Sequence, residues 1–223
     1  IPPYDIRSSI GVFIGGFKRQ HSEILEGPLQ GMVYGYIQNG VELSPMNAGL
    51  ATIYNTKSGE VYIGNWPEGI SQQKNLRENV VNARQNGVLL IENKAPTVYV
   101  NRWKEGNWSA NAGGLGRSLR AGICIQETKK KKYLLFLAFT SATPSTMTRV
   151  MQAYNCSNAM HLDMNAFMYL HNVIYKVNAD NTVSAEYLNK EMQYPVGTKE
   201  HRFILDNNAR DFFYLKKRDA SEQ

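Results

Sequence analysis

The sequence predicts a mixed α+β fold, a β-rich mixed sheet with hairpins and at least one β-α-β crossover. Asn39-Gly40 follows the apolar run from Met32 to Ile37, and this dipeptide supplies positive φ at both centres of a type I′ hairpin turn. Apolar and polar residues alternate from Leu50 to Tyr54 and again from Val61 to Gly64, on either side of Lys57-Ser58-Gly59. From Leu134 to Asn165 the pattern reads strand, helix, strand.

The remaining elements follow in chain order. Leu76, Val80, Ala83 and Arg84 fall at helical spacing, with Asn75 as N-cap and Gly87 as stop, so a helix is expected there. Val88 to Ile91 is a buried strand. Asn101 to Gly116, rich in Trp, Asn and Gly without a period, is a long surface loop. Leu119 to Gln126 and Tyr133 to Thr140 are strands joined through Thr128 to Lys132, a solvated turn. The next helix is capped by Ser145, and Met147, Val150, Met151 and Tyr154 form its apolar stripe, a packing face rather than a cofactor box. Ala159 to Asn165 alternates as a strand, with His161, Asp163 and Asn165 on one face. Val173 to Val177 and Val183 to Tyr187 flank the turn Ala179-Asp180-Asn181, and Arg210 to Lys217 supplies a closing strand.

Composition narrows the function classes. Apolar residues make up 43% and charged residues 20% of the chain, which is the balance of a folded globular protein. The longest apolar run, Tyr133 to Phe139, falls far short of the roughly 20 residues of a membrane-spanning helix. A single domain over 1–223 is expected, and a leader or segment ahead of Ile1 can have been removed without trace. The net charge of +6 suits anionic polymers in general. The lysine turn lacks aromatic platforms and any nucleic-acid motif, so nucleic acid is disfavoured as a partner. Cys124 and Cys156 lack metal-ligand spacing and read either as a disulfide or as two buried thiols, the thiols being preferred.

A strand-helix-strand crossover returns the chain to the same end of the sheet, so the two strands run parallel and their carboxyl ends coincide. That places Thr140 and Ser141 at the same edge as Asp163 and Asn165, where open α/β sheets bind ligands. His161 and Asp163 can equally be residues that bond loop backbone. No G-x-S-x-G elbow, phosphate loop, H-E-x-x-H or C-x-x-C is present. Gly113, Gly114 and Gly116 lead into Arg117-Ser118, a weak signal for an anion cradle.

Taken in order, Ile14-Gly15-Gly16-Phe17, Gln85-Asn86-Gly87-Val88, Gly116-Arg117-Ser118 with Gly122-Ile123, and Ala159-Met160-His161-Leu162-Asp163 resemble the phosphodiester glycosidase family. That family includes the animal enzyme that uncovers mannose 6-phosphate and many bacterial proteins linked to envelope or exopolysaccharide. The resemblance spans Gly11 to Tyr175 and rests on the order of the motifs. Ile14 replaces the usual Asn, and Met164-Asn165-Ala166 replaces the glycine run after Asp163, as in a variant branch whose chains end like Arg210 to Leu215. Glycines there let backbone N–H groups approach a phosphate, whereas side chains fill that space.

The resemblance implies a hydrolase acting on a sugar-phosphodiester linkage of an envelope or extracellular glycan. It implies Asp163, Arg117 and His171 as catalytic residues. Gly15, Gly16, Phe17, His21, Ser118, His161 and Asn165 would bind substrate, and neither cofactor nor metal is expected. Glycoside hydrolysis commonly needs a second carboxyl, for which Glu23, Glu26 and Asp206 are the candidates. His21 and His171 are alternative proton carriers. Trp103, Trp108 and Tyr169 can pack or stack on sugar rings. A catalytically inactive anionic-glycan-binding protein of the same fold is the alternative function. The resemblance also implies a secreted, periplasmic or envelope location.

Overall fold

The structure is a computed structural model that describes residues 1–18, 21–67, 78–102, 105–108, 116–164, 170–192 and 211–217. It is strand-rich, with three antiparallel sheets and, among the described elements, one α-helix of ten residues. The expected mixed α+β character survives, but the helical share is small. The chain divides into two compact units, Ile1–Gly15 with Asp163–Gln223, and Gly16–Leu162.

The first unit holds one sheet. Strand β1 (Ser9–Ile14) lies between β12 (Asn172–Val177) and β14 (Phe212–Lys216), with β13 (Val183–Tyr187) outside β12. Val12, Val173 and Tyr175 form a buried cluster on it, and Phe13, also buried, stacks on Phe213 at 5.1 Å between centroids. Asp5 ties the edge down, accepting from the Tyr214 hydroxyl at 2.8 Å and facing Lys216 Nζ at 3.6 Å. The hairpin and the closing strand read from the sequence are both present.

The second unit holds two five-stranded sheets. In one, β2 (Tyr36–Gln38), β3 (Val41–Ser44), β4 (Ala51–Thr56), β5 (Val61–Asn65) and β6 (Val80–Gln85) are arranged β3-β2-β6-β4-β5. Asn39 and Gly40 both have positive φ, 51° and 77°, as a type I′ turn requires. The helix expected from Asn75 to Gly87 gives way to a strand from Val80, while Glu78 and Asn79 are helical. Residues 68–77 lie outside the described residues, and Val80 to Gln85 form a strand paired with both β2 and β4. Two neighbouring strands satisfy the backbone of that segment, and its adjacent valines suit a pleated surface better than a helix.

The other sheet is arranged β10-β9-β11-β7-β8, from β7 (Leu89–Glu92), β8 (Ala95–Pro96), β9 (Ser118–Glu127), β10 (Lys132–Ala142) and β11 (Cys156–His161). Helix α1 (Pro144–Ala153) connects β10 to β11. Both of those strands pair antiparallel with β9, so they run parallel to each other, one strand apart. The expected crossover is therefore present, split by a strand.

Thr143 rather than Ser145 caps the helix, its Oγ1 accepting from Thr146 N at 3.1 Å. Pro144 sits at N1, where the missing N–H costs nothing, and this fixes the cap one residue before it. Met147 and Met151 are fully buried while Tyr154 is exposed, so the apolar stripe packs through its middle. Cys124 and Cys156 form a disulfide between β9 and β11, with Cα atoms 5.8 Å apart. This corrects the preference for free thiols. Antiparallel pairing brings the two positions together, which spacing along the chain does not reveal. At the far hairpin Lys132 Nζ lies 4.4 Å from the Tyr62 ring centre, and Thr128 Oγ1 bonds the turn backbone, as a solvated turn requires.

Candidate functional site

Within the second unit, a polar node is built where β9 begins and β10 and β11 end. Arg120 and His161 are both buried there. Ser118, Arg120 and Gly122 alternate onto one face of β9, and His161 pairs with Gly122, which places it on that same face. Arg120 Nε donates to Ala142 O at 2.8 Å, and Nη1 donates to Trp108 O at 2.9 Å. Nη1 also stands 3.5 Å from His161 Nε2. Trp108 and Phe17 meet the imidazole edge-on, at 6.0 and 5.4 Å between ring centres.

Burial brings the Arg120 guanidinium down to about 10, still charged at neutral pH. Burial, and secondarily the positive charge of Arg120, hold His161 well below its usual 6.5, so its ring is neutral. His161 Nδ1 and Ser118 Oγ are buried with no hydrogen-bond partner among the described residues.

A second set of bonds ties the Gly16-Phe17 turn to this node. Asn86 Oδ1 accepts from Phe17 N at 2.9 Å, while Asn86 Nδ2 donates to His161 O at 2.8 Å. Arg84 Nη2 donates to Phe17 O at 2.8 Å. A Cβ at Gly16 would stand 3.1 Å from Asn86 Oδ1 and 3.3 Å from Arg84 Cζ, so any larger residue would push these two side chains back by a few tenths of an ångström.

The first unit carries its own junction. Asp163 N donates to Gly15 O at 2.9 Å, and Gly15 N donates to Asp211 O at 3.0 Å. Asp163 is buried, with Oδ1 accepting from Met164 N at 2.8 Å. The Asp211 carboxyl lies against Gly15, 2.7 Å from where a Cβ would be. His171 is fully buried, Nδ1 facing Met192 O at 3.4 Å and the ring edge-on to Tyr187 at 5.6 Å. Its carbonyl accepts from Ile14 N at 2.8 Å.

The structure thus gathers Gly16, Phe17, Ser118 and His161 in the second unit, and Gly15, Asp163 and His171 in the first. Arg117 is exposed, and so is His21, whose carbonyl accepts from Asn107 Nδ2 at 3.1 Å. Asn165, Trp103, Tyr169, Gly113, Gly114 and Asp206 lie outside the described residues. Glu23 and Glu26 are exposed, as are Thr140 and Ser141 at the strand end. The cation that the fold brings to His161 is Arg120.

The profile of the phosphodiester glycosidase family matches residues 10–181. The chain belongs to this family. Among solved structures, the chain is similar to the zebrafish N-acetylglucosamine-1-phosphodiester alpha-N-acetylglucosaminidase catalytic domain, auto-inhibited by its pro-peptide. The TM-score is 0.51 at 17% identity, over 79% of this chain and 55% of that one, so the likeness is one of fold and reaches little more than half of that domain. No curated protein matches the chain.

Arg120, Arg84, Asn86 and Asp211 were not singled out as site residues from the sequence. A signal existed for Arg120: a charged residue heading the apolar run Ala121 to Ile125 must bring its own partners inside. Asn86 stands in a family-like segment, Gln85-Asn86-Gly87-Val88, but what it bridges is a product of the fold.

Proposed function

We propose that residues 1–223 act as one phosphodiester-glycosidase-like domain that hydrolyses a sugar-phosphodiester linkage of an envelope or extracellular glycan. The observation that carries this reading is the family match over residues 10–181. In it Arg117 clamps the phosphate, Asp163 holds a sugar hydroxyl or serves in acid-base chemistry, and Gly15, Gly16, Phe17, Ser118, His161 and Asn165 shape the substrate contacts. Burial against Met192 and Tyr187 favours a supporting role for His171 over proton transfer, and exposure of His21 leaves it a rim contact.

Two-carboxyl chemistry needs a partner for Asp163. Asp211 takes that role in this proposal because its carboxyl and the Asp163 backbone both lie against Gly15. A disulfide persists in oxidising surroundings, which supports a secreted, periplasmic or envelope-associated protein. Among the described residues no helix is long and apolar enough to cross a membrane.

A second reading, glycan binding without turnover, is favoured by one observation. Met164 is buried at the first position of the replaced glycine run, where a side chain takes space that a backbone N–H would need to reach a phosphate. Purified protein incubated with a panel of sugar-1-phosphodiesters decides between them. Release of free sugar that Asp163→Asn and Asp211→Asn each abolish supports the enzyme. Saturable binding with no release across the panel supports the binder.

A further inference from the structure

His161 has two ring nitrogens in opposite circumstances. Nε2 faces Arg120 Nη1 at 3.5 Å, and a guanidinium only donates hydrogen bonds. A hydrogen on Nε2 would point at a cationic donor, so Nε2 must keep its lone pair toward Arg120. Arg120 is itself anchored by the carbonyls of Ala142 and Trp108, which leaves that geometry little freedom. A neutral ring with a bare Nε2 carries its hydrogen on Nδ1. Nδ1 is buried and has no partner among the described residues. A buried N–H left unpaired costs about 1–3 kcal/mol, which a group from outside the chain would relieve.

We propose that Arg120 is a positioning residue that fixes His161 as the Nδ1–H tautomer, and that this N–H donates to an acceptor oxygen of the bound sugar phosphate. His161 then binds substrate as a donor and carries no proton in the reaction. The identity of the ligand rests on the function proposed above; the tautomer does not. Asn86 supports the same arrangement by holding the His161 carbonyl, so the ring is fixed through both its backbone and its Nε2.

The test uses the whole chain with ¹⁵N-labelled histidine. Four histidines are present, and His161→Asn identifies the signals of His161 by their loss. The expected spectrum shows an unprotonated Nε2 and a hydrogen-bearing Nδ1, unchanged from about pH 8 to about pH 5, where an ordinary imidazole would charge. Arg120→Met, checked for folding by circular dichroism, is expected to give a tautomer mixture. An alkyl diester of a hexose 1-phosphate is then titrated in, and the Nδ1–H resonance is expected to shift on binding.

An Asn amide can stand in for Nδ1 but not for Nε2, while Gln does the reverse. His161→Asn is therefore expected to bind the diester within about threefold of the natural protein, and His161→Gln at least tenfold more weakly, one good hydrogen bond being worth about that factor. An Nε2–H or charged ring in the natural protein overturns the proposal. So does a failure of the diester to bind, binding that leaves Nδ1–H unmoved, or equal binding by the Asn and Gln variants. A shifted Nδ1–H without any sugar release leaves this proposal standing and sinks only the hydrolytic one.

Discussion

Arg120 and His161 meet inside the second unit at 3.5 Å, a guanidinium charged at neutral pH against an imidazole that burial has already made neutral. That pairing makes the native fold sensitive to acid. The folded pKa of His161 is lowered, so the unfolded chain binds the proton more readily. The stabilising contribution is complete above about pH 6.5, and declines as pH falls below that value toward the folded pKa, by at most about 1.4 kcal/mol per pH unit. Urea unfolding at a series of pH values is expected to show this slope, and His161→Asn is expected to flatten it.

Why the sequence revealed some of this and not the rest follows from range. Asn39-Gly40 and the Thr128 to Lys132 turn determine their hairpins through local backbone chemistry, and both are present. Val80 to Gln85 imitates helical spacing, and only its partners β2 and β4 make it a strand. The alternation of Ala159 to Asn165 put His161 among the polar residues at the carboxyl edge. Arg120 lies 41 residues away from it, so the pair exists only once β9 and β11 align. The disulfide is hidden for the same reason.

Gly16→Ala is expected to lower stability by about 1–3 kcal/mol, the usual cost of forcing an extra methyl into a packed site. The new Cβ presses on Asn86 Oδ1 and the Arg84 guanidinium, which together hold both backbone groups of Phe17. Thermal unfolding measures the loss. Gly31→Ala makes a poor control because its φ is +79°, but Lys129→Ala, at an exposed turn position in the same unit, is expected to be near neutral.

Asn86→Asp separates the two halves of the Asn86 bridge. The acceptor toward Phe17 N remains, while the donor to His161 O is lost and a buried charge is added. A destabilisation of about 2–4 kcal/mol is expected, since a buried carbonyl loses its partner and the new carboxylate loses water. A variant as stable as the natural protein in urea would contradict the bridge.

Removing the disulfide by Cys124→Ala with Cys156→Ala is expected to cost about 3–4 kcal/mol, given the 32-residue separation of the two cysteines. Reduction of the natural protein is expected to lower its melting temperature in step, and the double variant to be insensitive to reductant. Free-thiol titration of the denatured, unreduced protein is expected to find none.

Glycosidic cleavage differs from ordinary phosphodiester hydrolysis in which bond breaks. Hydrolysis of a sugar-1-phosphodiester in ¹⁸O-labelled water reads this directly by mass spectrometry. The label is expected on the anomeric hydroxyl of the released sugar, with the phosphate leaving unlabelled and Asp163→Asn abolishing both products. Label in the phosphate, or no turnover of any sugar-1-phosphodiester, would contradict glycosidic cleavage.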